Sequence, residues 1–266
     1  MYEEFYGLRE KPFNKTPDPR YLYESRMHAE ALARLHHAVE EQDIVLLTGD
    51  IGSGKTTLSR AFIDSLDGHY HPILIINPVL SPSQLLRTLA LRLGMESVGR
   101  YRHEILEGIN AKVYELYESG KSPVIIIDEA QLIPDKATFE ELRLLTNFQL
   151  DDRNLLALVL IGQTELRDRL NTRHYRALRQ RIGMQFHLGP LNAEETRAYV
   201  QHRLRVAGRE APLFDEQAMA LLFEYSGGVP RRLNIIAANA LVEGFGREAA
   251  TIGPEIIESV VHDSER

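Results

Sequence analysis

The sequence predicts an α/β fold in which a parallel sheet lies between two layers of helices, followed by a small region built from helices alone. Two observations lead to this prediction. Short apolar runs, typical of strands covered on both faces, alternate with segments whose apolar residues recur at helical spacing. After residue 188 the pattern is wholly helical. The predicted strands are 44–47, 72–76, 124–127, 155–161 and 184–188.

The predicted helices begin at recognisable start signals. Ser25 is a potential N-cap, Ser81 followed by Pro82 opens another helix, and Asn192 with Glu195 three residues later forms a capping-box pattern. These signals place helix starts directly after the strands or turns, as an alternating α/β chain requires. The predicted helical segments are 25–42, 58–66, 81–93, 101–118, 139–148, 192–207, 215–225, 230–243 and 254–261.

A glycine-rich turn between the first strand and its helix carries the strongest functional signal, because it has the spacing G-x-x-x-x-G-K-T. Its glycines admit backbone angles that let successive N–H groups face phosphate oxygens, and the following helix directs its positive dipole end at them. Lys55 can reach the β- and γ-phosphates, and the Thr56 hydroxyl can bind Mg²⁺. The alternative, a turn that binds nothing, does not account for the full pattern. The predicted binding residues are Gly49, Asp50, Ile51, Gly52, Ser53, Gly54, Lys55, Thr56 and Thr57.

Composition limits the protein class. The 266 residues carry a formal net charge of −7 and include no cysteine, which excludes disulfides and thiolate metal sites. The acidic balance does not favour nucleic acid as a partner, although a local basic surface could still bind it. No apolar run approaches the roughly 18 to 20 residues that span a bilayer, and residues 1–6 lack a signal-peptide pattern. We therefore expect a cytoplasmic protein that would need recruitment to act at the inner membrane.

Residues 1–24 are predicted to form an extended strap, because they are rich in prolines and aromatic residues. The aromatic side chains either pack the strap onto the core or line an adenine pocket. The next segment, 25–42, carries His28, His36 and His37, whose helical spacing presents no common face for a metal ion.

Two adjacent carboxylates, Asp128 and Glu129, follow the third predicted strand. At the carboxyl end of a buried strand Asp128 can hold Mg²⁺ through water, and Glu129 can orient and polarise an attacking water. Two acids that merely end a strand at the surface are the alternative. Gln163 follows the next strand and is a candidate contact for the γ-phosphate or that water, or else a helix-cap residue.

A dense basic series lies between Gln163 and the last predicted strand. Most of its members are expected to be solvated, but an arginine just before a strand could be presented to the nucleotide of a neighbouring subunit. Arg181 is the favoured candidate, with Arg179 the second choice. The series comprises Arg167, Arg169, Arg173, His174, Arg176, Arg179 and Arg181.

The helical region contains the sequence Ser-Gly-Gly-Val-Pro-Arg at 226–231. Its glycines allow a tight turn, and Pro230 in the first helical turn leaves Arg231 near a helix N-terminus, able to reach back to a phosphate. We expect three parts in the chain: the strap at 1–24, a nucleotide-binding α/β domain at 25–189, and a helical lid domain at 190–266.

In this order the motifs resemble those of the P-loop AAA+ ATPases, and more narrowly the ExeA/GspA-type ATPases of the general (type II) secretion pathway and their relatives in type IV pilus assembly, such as MshM. The resemblance covers nearly the whole chain. Its narrow part lies in residues 6–21 (YGLREKPFNKTPDPRY), 28–32 (HAEAL), 128–131 (DEAQ), 226–231 (SGGVPR) and 233–234 (LN).

The resemblance implies ATP and Mg²⁺ as cofactors and assembly of the protein into a ring or other homo-oligomer with nucleotide at subunit interfaces. It also implies a membrane-associated secretion or pilus partner. The implied roles are Walker A for Lys55 and Thr56, Walker B for Asp128 and Glu129, sensor 1 for Gln163, arginine finger for Arg181 and sensor 2 for Arg231. Gln163 departs from the Asn, Thr or Ser usual at sensor 1 in the wider group.

The expected function is ATP hydrolysis that drives assembly or remodelling of a type II secretion or type IV pilus complex. Two alternatives remain open: a DNA-associated regulator similar to transposition target-selection ATPases, and a nucleotide-gated scaffold with little turnover. A small-molecule kinase fits less well, because Glu129 beside Asp128 suits water activation. Fuller ExeA-type proteins continue into a transmembrane segment and a periplasmic domain, so a short family member, an excised domain or a relative with another role is expected.

Overall fold

The computed structural model of the chain describes residues 1–14, 16, 18–150 and 153–264. Lys15 and Pro17 of the predicted strap, Asp151 and Asp152, and the last two residues of the predicted lid lie outside these ranges. Within the described ranges, no helix has the length and apolar character needed to cross a membrane.

Seven strands are formed by the described residues, and five of them build one parallel sheet in the order β2-β3-β6-β1-β7. The short β4 and β5 pair with each other in an antiparallel ladder. The strands are β1 (Ile44–Gly49), β2 (Tyr70–Ile75), β3 (Ser122–Ile127), β4 (Gln149–Leu150), β5 (Arg153–Asn154), β6 (Ala157–Gly162) and β7 (Ile182–Leu188).

Helices connect most of these strands, and the helices after β7 are joined by turns and loops. Single 3₁₀ turns occur at Pro19–Tyr21, Ala130–Leu132 and Arg173–Tyr175. The α-helices are α1 (Tyr2–Phe5), α2 (Arg26–Glu40), α3 (Lys55–Ser65), α4 (Pro82–Arg92), α5 (Arg102–Glu118), α6 (Lys136–Leu145), α7 (Thr164–Leu170), α8 (Arg176–Arg179), α9 (Ala193–Val206), α10 (Glu216–Ser226), α11 (Pro230–Gly246) and α12 (Pro254–Ser264).

The chain divides into two compact units. The sheet unit consists of residues 30–49 and 61–188. Strands β1 and β6 are buried along their whole length, because helices cover both faces of a parallel sheet. Alternate strand residues such as Leu46, Ile127 and Leu160 share one apolar cluster with residues of α4, α5, α6 and α7.

The second unit, here called the helical unit, combines residues 1–29, 50–60 and 189–266. Its apolar core joins α9 to α12 with the strap residues Tyr6, Leu8 and Phe13. The interpretation in which the aromatic residues pack the strap onto a core is therefore confirmed for Tyr6 and Phe13. This unit also contains the glycine-rich turn, so it is assembled from three separate stretches of the chain. The boundaries 1–24, 25–189 and 190–266 stay a prediction.

The predicted α/β class and the helical C-terminal region are confirmed, and the differences are local. The strap is not wholly extended, because it begins with the single-turn α1. The predicted helix 139–148 starts earlier, at Lys136, where Asp135 caps it by accepting a hydrogen bond from the Thr138 N–H at 2.8 Å. The last strand also starts two residues earlier than predicted, at Ile182.

Candidate active site

The carboxyl ends of β1, β3 and β6 lie at one edge of the sheet, because these strands are parallel and β6 lies between the other two. Gly49 ends β1, Asp128 follows β3, and Gln163 follows β6. In open α/β sheets, ligands bind at this edge. The chain passes from Gly49 directly into the phosphate loop, residues 50–54.

Within the helical unit, the phosphate loop has the conformation that its glycines predict. Gly52 and Gly54 have φ angles of +84° and +99°, which other residues rarely adopt. Helix α3 begins at Lys55, whose side chain is only 6% exposed and whose Nζ donates to the Asp50 carbonyl oxygen at 2.8 Å. The ammonium group is thus held against the loop, where a phosphate group could take over as its acceptor.

His28 lies against the same loop. Its side chain is 4% exposed, and its Nδ1 lies 2.7 Å from the Ser25 hydroxyl. A Cβ atom at Gly54 would lie 3.1 Å from His28 Nε2, so the imidazole contacts the loop backbone at this glycine. Burial lowers the pKa of His28, and a hydrogen bond with the Ser53 backbone and attraction to Glu195 oppose this effect only partly. His28 is therefore a neutral support of the phosphate loop.

Arg231 contacts the loop from the first turn of α11. Its main-chain N–H donates to the Gly52 carbonyl oxygen at 3.1 Å, and its side-chain stem covers Gly52 so closely that a Cβ atom there would lie 2.4 Å from Arg231 Cβ. Among the described residues, none accepts a hydrogen bond from the Arg231 guanidinium group. These contacts hold Arg231 against the phosphate loop, and its contact with a phosphate group stays a prediction.

The turn before α11 is fixed by its second glycine. Gly228 has a φ of +73°, and a Cβ atom there would lie 1.9 Å from the Leu191 carbonyl oxygen. The Gly228 carbonyl accepts from the Leu191 N–H at 2.9 Å, and the Gly228 N–H donates to the Ser226 hydroxyl at 3.1 Å. The Ser-Gly-Gly sequence therefore fixes where α11 begins and thus the position of the Arg231 backbone.

In the sheet unit, the side chains after β3 and β6 form a hydrogen-bonded cluster. Asp128 is 2% exposed and accepts from the Glu129 N–H at 2.9 Å. Glu129 Oε2 accepts from Nε2 of Gln163 at 3.3 Å and also from Nε2 of Gln131. Gln163 stands at the N-cap position of α7, but its side chain makes no cap hydrogen bond and turns to Glu129.

Thr56, in the first turn of α3, and Asp128, directly after β3, each carry an oxygen donor. Both are hard donors of the kind that Mg²⁺ prefers in phosphate sites, where most of its remaining ligands are water and phosphate oxygens. The chemistry of each residue fits the predicted ion, and a site shared by the two stays a prediction.

The basic series divides into half-buried and exposed members. Arg167 and Arg169 are half-buried, and Arg169 donates to the Ile133 carbonyl at 2.5 Å and lies over the rings of Phe139 and Tyr175. Arg181 is exposed, and its Nη1 donates to Thr146 Oγ1 at 3.0 Å. The remaining exposed members are Arg173, His174, Arg176 and Arg179.

Two residues of the site were not predicted from the sequence. Gln131 belongs to the Asp-Glu-Ala-Gln motif, but nothing in the spacing shows that its amide turns back to Glu129. The helical spacing of His28 indicates no contact with the phosphate loop, and the signal for its actual place is the Ser25–His28 spacing at a helix start. Both contacts depend on the folded loops.

A model of the AAA domain family matches residues 37–170. The chain is also 40% identical, over 250 residues, to General secretion pathway protein A of Aeromonas hydrophila. This match covers 93% of the chain but 45% of the relative, so the chain spans about half the length of that protein. The predicted resemblance to ExeA/GspA-type proteins is confirmed.

Solved structures of AAA+ proteins share the fold at low sequence identity. The Aeropyrum pernix ORC2 protein superposes with a TM-score of 0.71 at 18% identity, covering 95% of this chain and 71% of that one. Drosophila ORC bound to DNA gives 0.69 at 16%, covering 99% and 66%. The Thermotoga maritima RuvB branch migration motor gives 0.59 at 22%, covering 88% and 68%. The chain therefore belongs to the AAA domain family of P-loop proteins.

Proposed function

We propose that this chain is an ATPase that binds ATP with Mg²⁺ at the phosphate loop and hydrolyses it with Glu129 as the base. The observation that supports this most is the Glu129 carboxylate, which two amide groups hold at the sheet edge beside the buried Asp128. A carboxylate positioned in this way can accept a proton from an attacking water, which favours hydrolysis.

The other residues take roles that follow from their chemistry. Lys55 and the loop N–H groups bind the phosphates, while Thr56 and Asp128 hold Mg²⁺, which neutralises charge on the phosphate oxygens. The guanidinium group of Arg231 contacts a phosphate of the nucleotide, and Gln163 orients Glu129.

We further propose that the chain works as a homo-oligomer in which Arg181, or else Arg179, reaches the nucleotide of a neighbouring copy. The similarity to General secretion pathway protein A supports a role in assembly or remodelling of a type II secretion complex. A type IV pilus complex is the other candidate within this class. The partner would then be a membrane-associated component, and the chain would act at the inner membrane by recruitment from the cytoplasm.

The Glu129→Gln variant tests the proposed function. It should bind ATP as the parent does but hydrolyse it at least about a hundredfold more slowly, because a positioned base contributes on this scale. Phosphate release and the binding of a fluorescent ATP analogue are the two measurements. Parental turnover in the variant would remove Glu129 as the base, and a parent that binds ATP without turnover would favour the nucleotide-gated scaffold.

The exposed members of the basic series favour a second candidate, a DNA-associated regulator. They place positive charge on the surface of the sheet unit although the whole chain is acidic. Binding to duplex DNA that requires ATP and weakens steeply with salt would support this candidate. Absence of DNA binding at low salt would exclude it.

A further inference from the structure

The side-chain amide of Gln131 joins the ends of two neighbouring strands of the sheet. Its Nε2 donates to Oε2 of Glu129, two residues after β3, and its Oε1 accepts from the main-chain N–H of Gln163, directly after β6, at 3.1 Å. The two bonds fix the orientation of the amide. If the amide were flipped, its oxygen would face the carboxylate and its NH₂ group would face an N–H donor.

The space for this bridge exists because residue 162 is a glycine. Gly162 ends β6 and is paired with Thr48 of β1. A Cβ atom at position 162 would lie 2.8 Å from Oε1 of Gln131 and 2.6 Å from a methyl carbon of Leu166. The sheet edge therefore leaves a gap that the Gln131 amide fills.

The backbone of Glu129 is in an unusual conformation. Its φ and ψ angles are +55° and +39°, in the left-handed region that glutamate rarely adopts. Its carbonyl accepts from the Leu132 N–H at 2.9 Å, which closes the short 3₁₀ turn. This turn brings Gln131 back beside the carboxylate of Glu129, two residues earlier.

Both amide donors take the same carboxylate oxygen. Gln131 and Gln163 donate to Oε2 of Glu129, and within the described part of the chain no residue donates to Oε1. The carboxylate thus has one oxygen that is held and one that can accept a proton from water. Held in this way, it has the geometry of a general base with a fixed approach direction.

We propose that Gln131 is a positioning residue for hydrolysis: its amide holds the Glu129 carboxylate against the end of β6, so that Oε1 faces the attacking water. This inference rests on the proposed function, because it requires Glu129 to be the base. It also makes the position of Glu129 depend on the Gln163 backbone. Any movement of the β6 end would then move the base.

The main test is Gln131→Met in the full chain, since methionine keeps the length of the side chain and removes both hydrogen bonds. We expect kcat for ATP to fall about tenfold to a hundredfold, the scale on which a misplaced catalytic group slows a reaction. The dissociation constant of a fluorescent ATP analogue should stay within about twofold. Gln185→Met, at an exposed position of β7, is the matched control and should keep the parental kcat.

A double variant separates positioning from a general loss of structure. If Gln131 acts through Glu129, Gln131→Met should slow the Glu129→Gln enzyme no further, because the group that it positions is already gone. If kcat of the double variant falls further, by the same factor as in the parent, Gln131 has a separate structural effect and the inference is overturned. The inference is also overturned if the single variant Gln131→Met keeps the parental kcat.

Gln131→Glu tests the positioning role independently if the Gln131→Met variant folds poorly. It keeps an acceptor for the Gln163 N–H but places a second carboxylate against Glu129, which repels it. The kcat of Gln131→Glu should therefore fall at least as far as that of Gln131→Met, and parental turnover in Gln131→Glu would contradict positioning. Slow turnover in Glu129→Gln with normal turnover in both Gln131 variants overturns this inference alone. A parent without turnover overturns the proposed function and this inference together.

Discussion

The main-chain N–H of Arg231 donates a hydrogen bond of 3.1 Å to the carbonyl oxygen of Gly52, so the first turn of α11 and the phosphate loop are joined at one residue. The bond occupies one of the N–H groups that a helix leaves unpaired at its N-terminus. Because the Arg231 stem also covers Gly52, this position has no room for any side chain. The glycine thus serves both the loop conformation and the contact with α11.

Gly52→Ala should weaken nucleotide binding by at least about tenfold and lower the free energy of unfolding by more than strain alone would. The added Cβ meets both a φ of +84° and the stem of Arg231. Gly94→Ala is the matched control, because Gly94 has a φ of +87° and a Cβ atom added there would have nothing within 4 Å, so it should lose only about 1 to 2 kcal/mol. Urea unfolding and titration with a fluorescent ATP analogue measure the two effects. Equal losses in both variants would show that the contact with Arg231 is unimportant.

Arg231→Ala should reduce ATP turnover by about a hundredfold to a thousandfold, the range found when one donor to transition-state charge is removed. Its guanidinium group is the part that the variant loses, while the main-chain bond to Gly52 remains. Arg232→Ala is the control, since Arg232 is the next residue of α11 and is also exposed. A similar fall in both variants would point to a general effect of charge on the helix.

The sequence predicts the parts of the site that depend on local spacing and misses those that depend on folded loops. The phosphate loop and the Asp128–Glu129 pair are local: each occupies a strand end whose apolar run is visible in the sequence. The contacts of His28 with Gly54, and of Gln131 with Gln163, join positions that lie 26 and 32 residues apart. Neither periodicity nor residue propensity predicts these two contacts, because they depend on how whole helices and strands pack.

Arg181→Ala should remove any rise of specific ATPase activity with protein concentration, because such a rise reports a site completed by a second copy. Nucleotide binding by the variant should stay close to that of the parent. Thr146→Val is an informative control: it releases the Arg181 guanidinium from its only hydrogen bond within the described chain and should leave the concentration dependence in place. If Arg179→Ala removes the concentration dependence and Arg181→Ala does not, Arg179 is the residue that reaches the neighbouring nucleotide.

Arg203→Ala should destabilise the helical unit by about 3 kcal/mol, the scale for loss of a buried, hydrogen-bonded charge. Arg203 is 7% exposed, donates to the Pro12 carbonyl at 2.6 Å and to the Tyr199 hydroxyl at 2.9 Å, and lies 4.6 Å from the centre of the Tyr21 ring. It thereby fastens the strap to α9. Arg205→Ala, at an exposed position of the same helix, should cost much less.

Lysine should not replace Arg203, because an ammonium group lacks the planar fork of donors that reaches two separate acceptors. Thermal and urea unfolding of Arg203→Lys and Arg203→Ala should therefore give similar losses. Full stability in the lysine variant would show that charge alone, and not the geometry of the hydrogen bonds, holds the strap.

His28 should make the stability of the protein depend on pH. Its pKa is lowered in the folded state by burial, so between that lowered pKa and the unfolded value of about 6.5 the unfolded state binds more protons. The free energy of unfolding should therefore fall as the pH is lowered through this window, by at most about 1.4 kcal/mol per pH unit from this residue. Above about pH 6.5 its contribution is constant.

His28→Gln should flatten this slope, whereas His103→Gln, at an exposed position of α5, should leave it unchanged. His202→Gln is a necessary second comparison, because burial beside Arg205 and Arg203 lowers the pKa of His202 as well and contributes with the same sign. Urea unfolding between about pH 5 and 8 gives the slopes. If the slope in His28→Gln equals that of the parent, His28 is protonated as readily in the folded chain as in the unfolded one. The interpretation of His28 as a neutral residue that supports the phosphate loop would then be wrong.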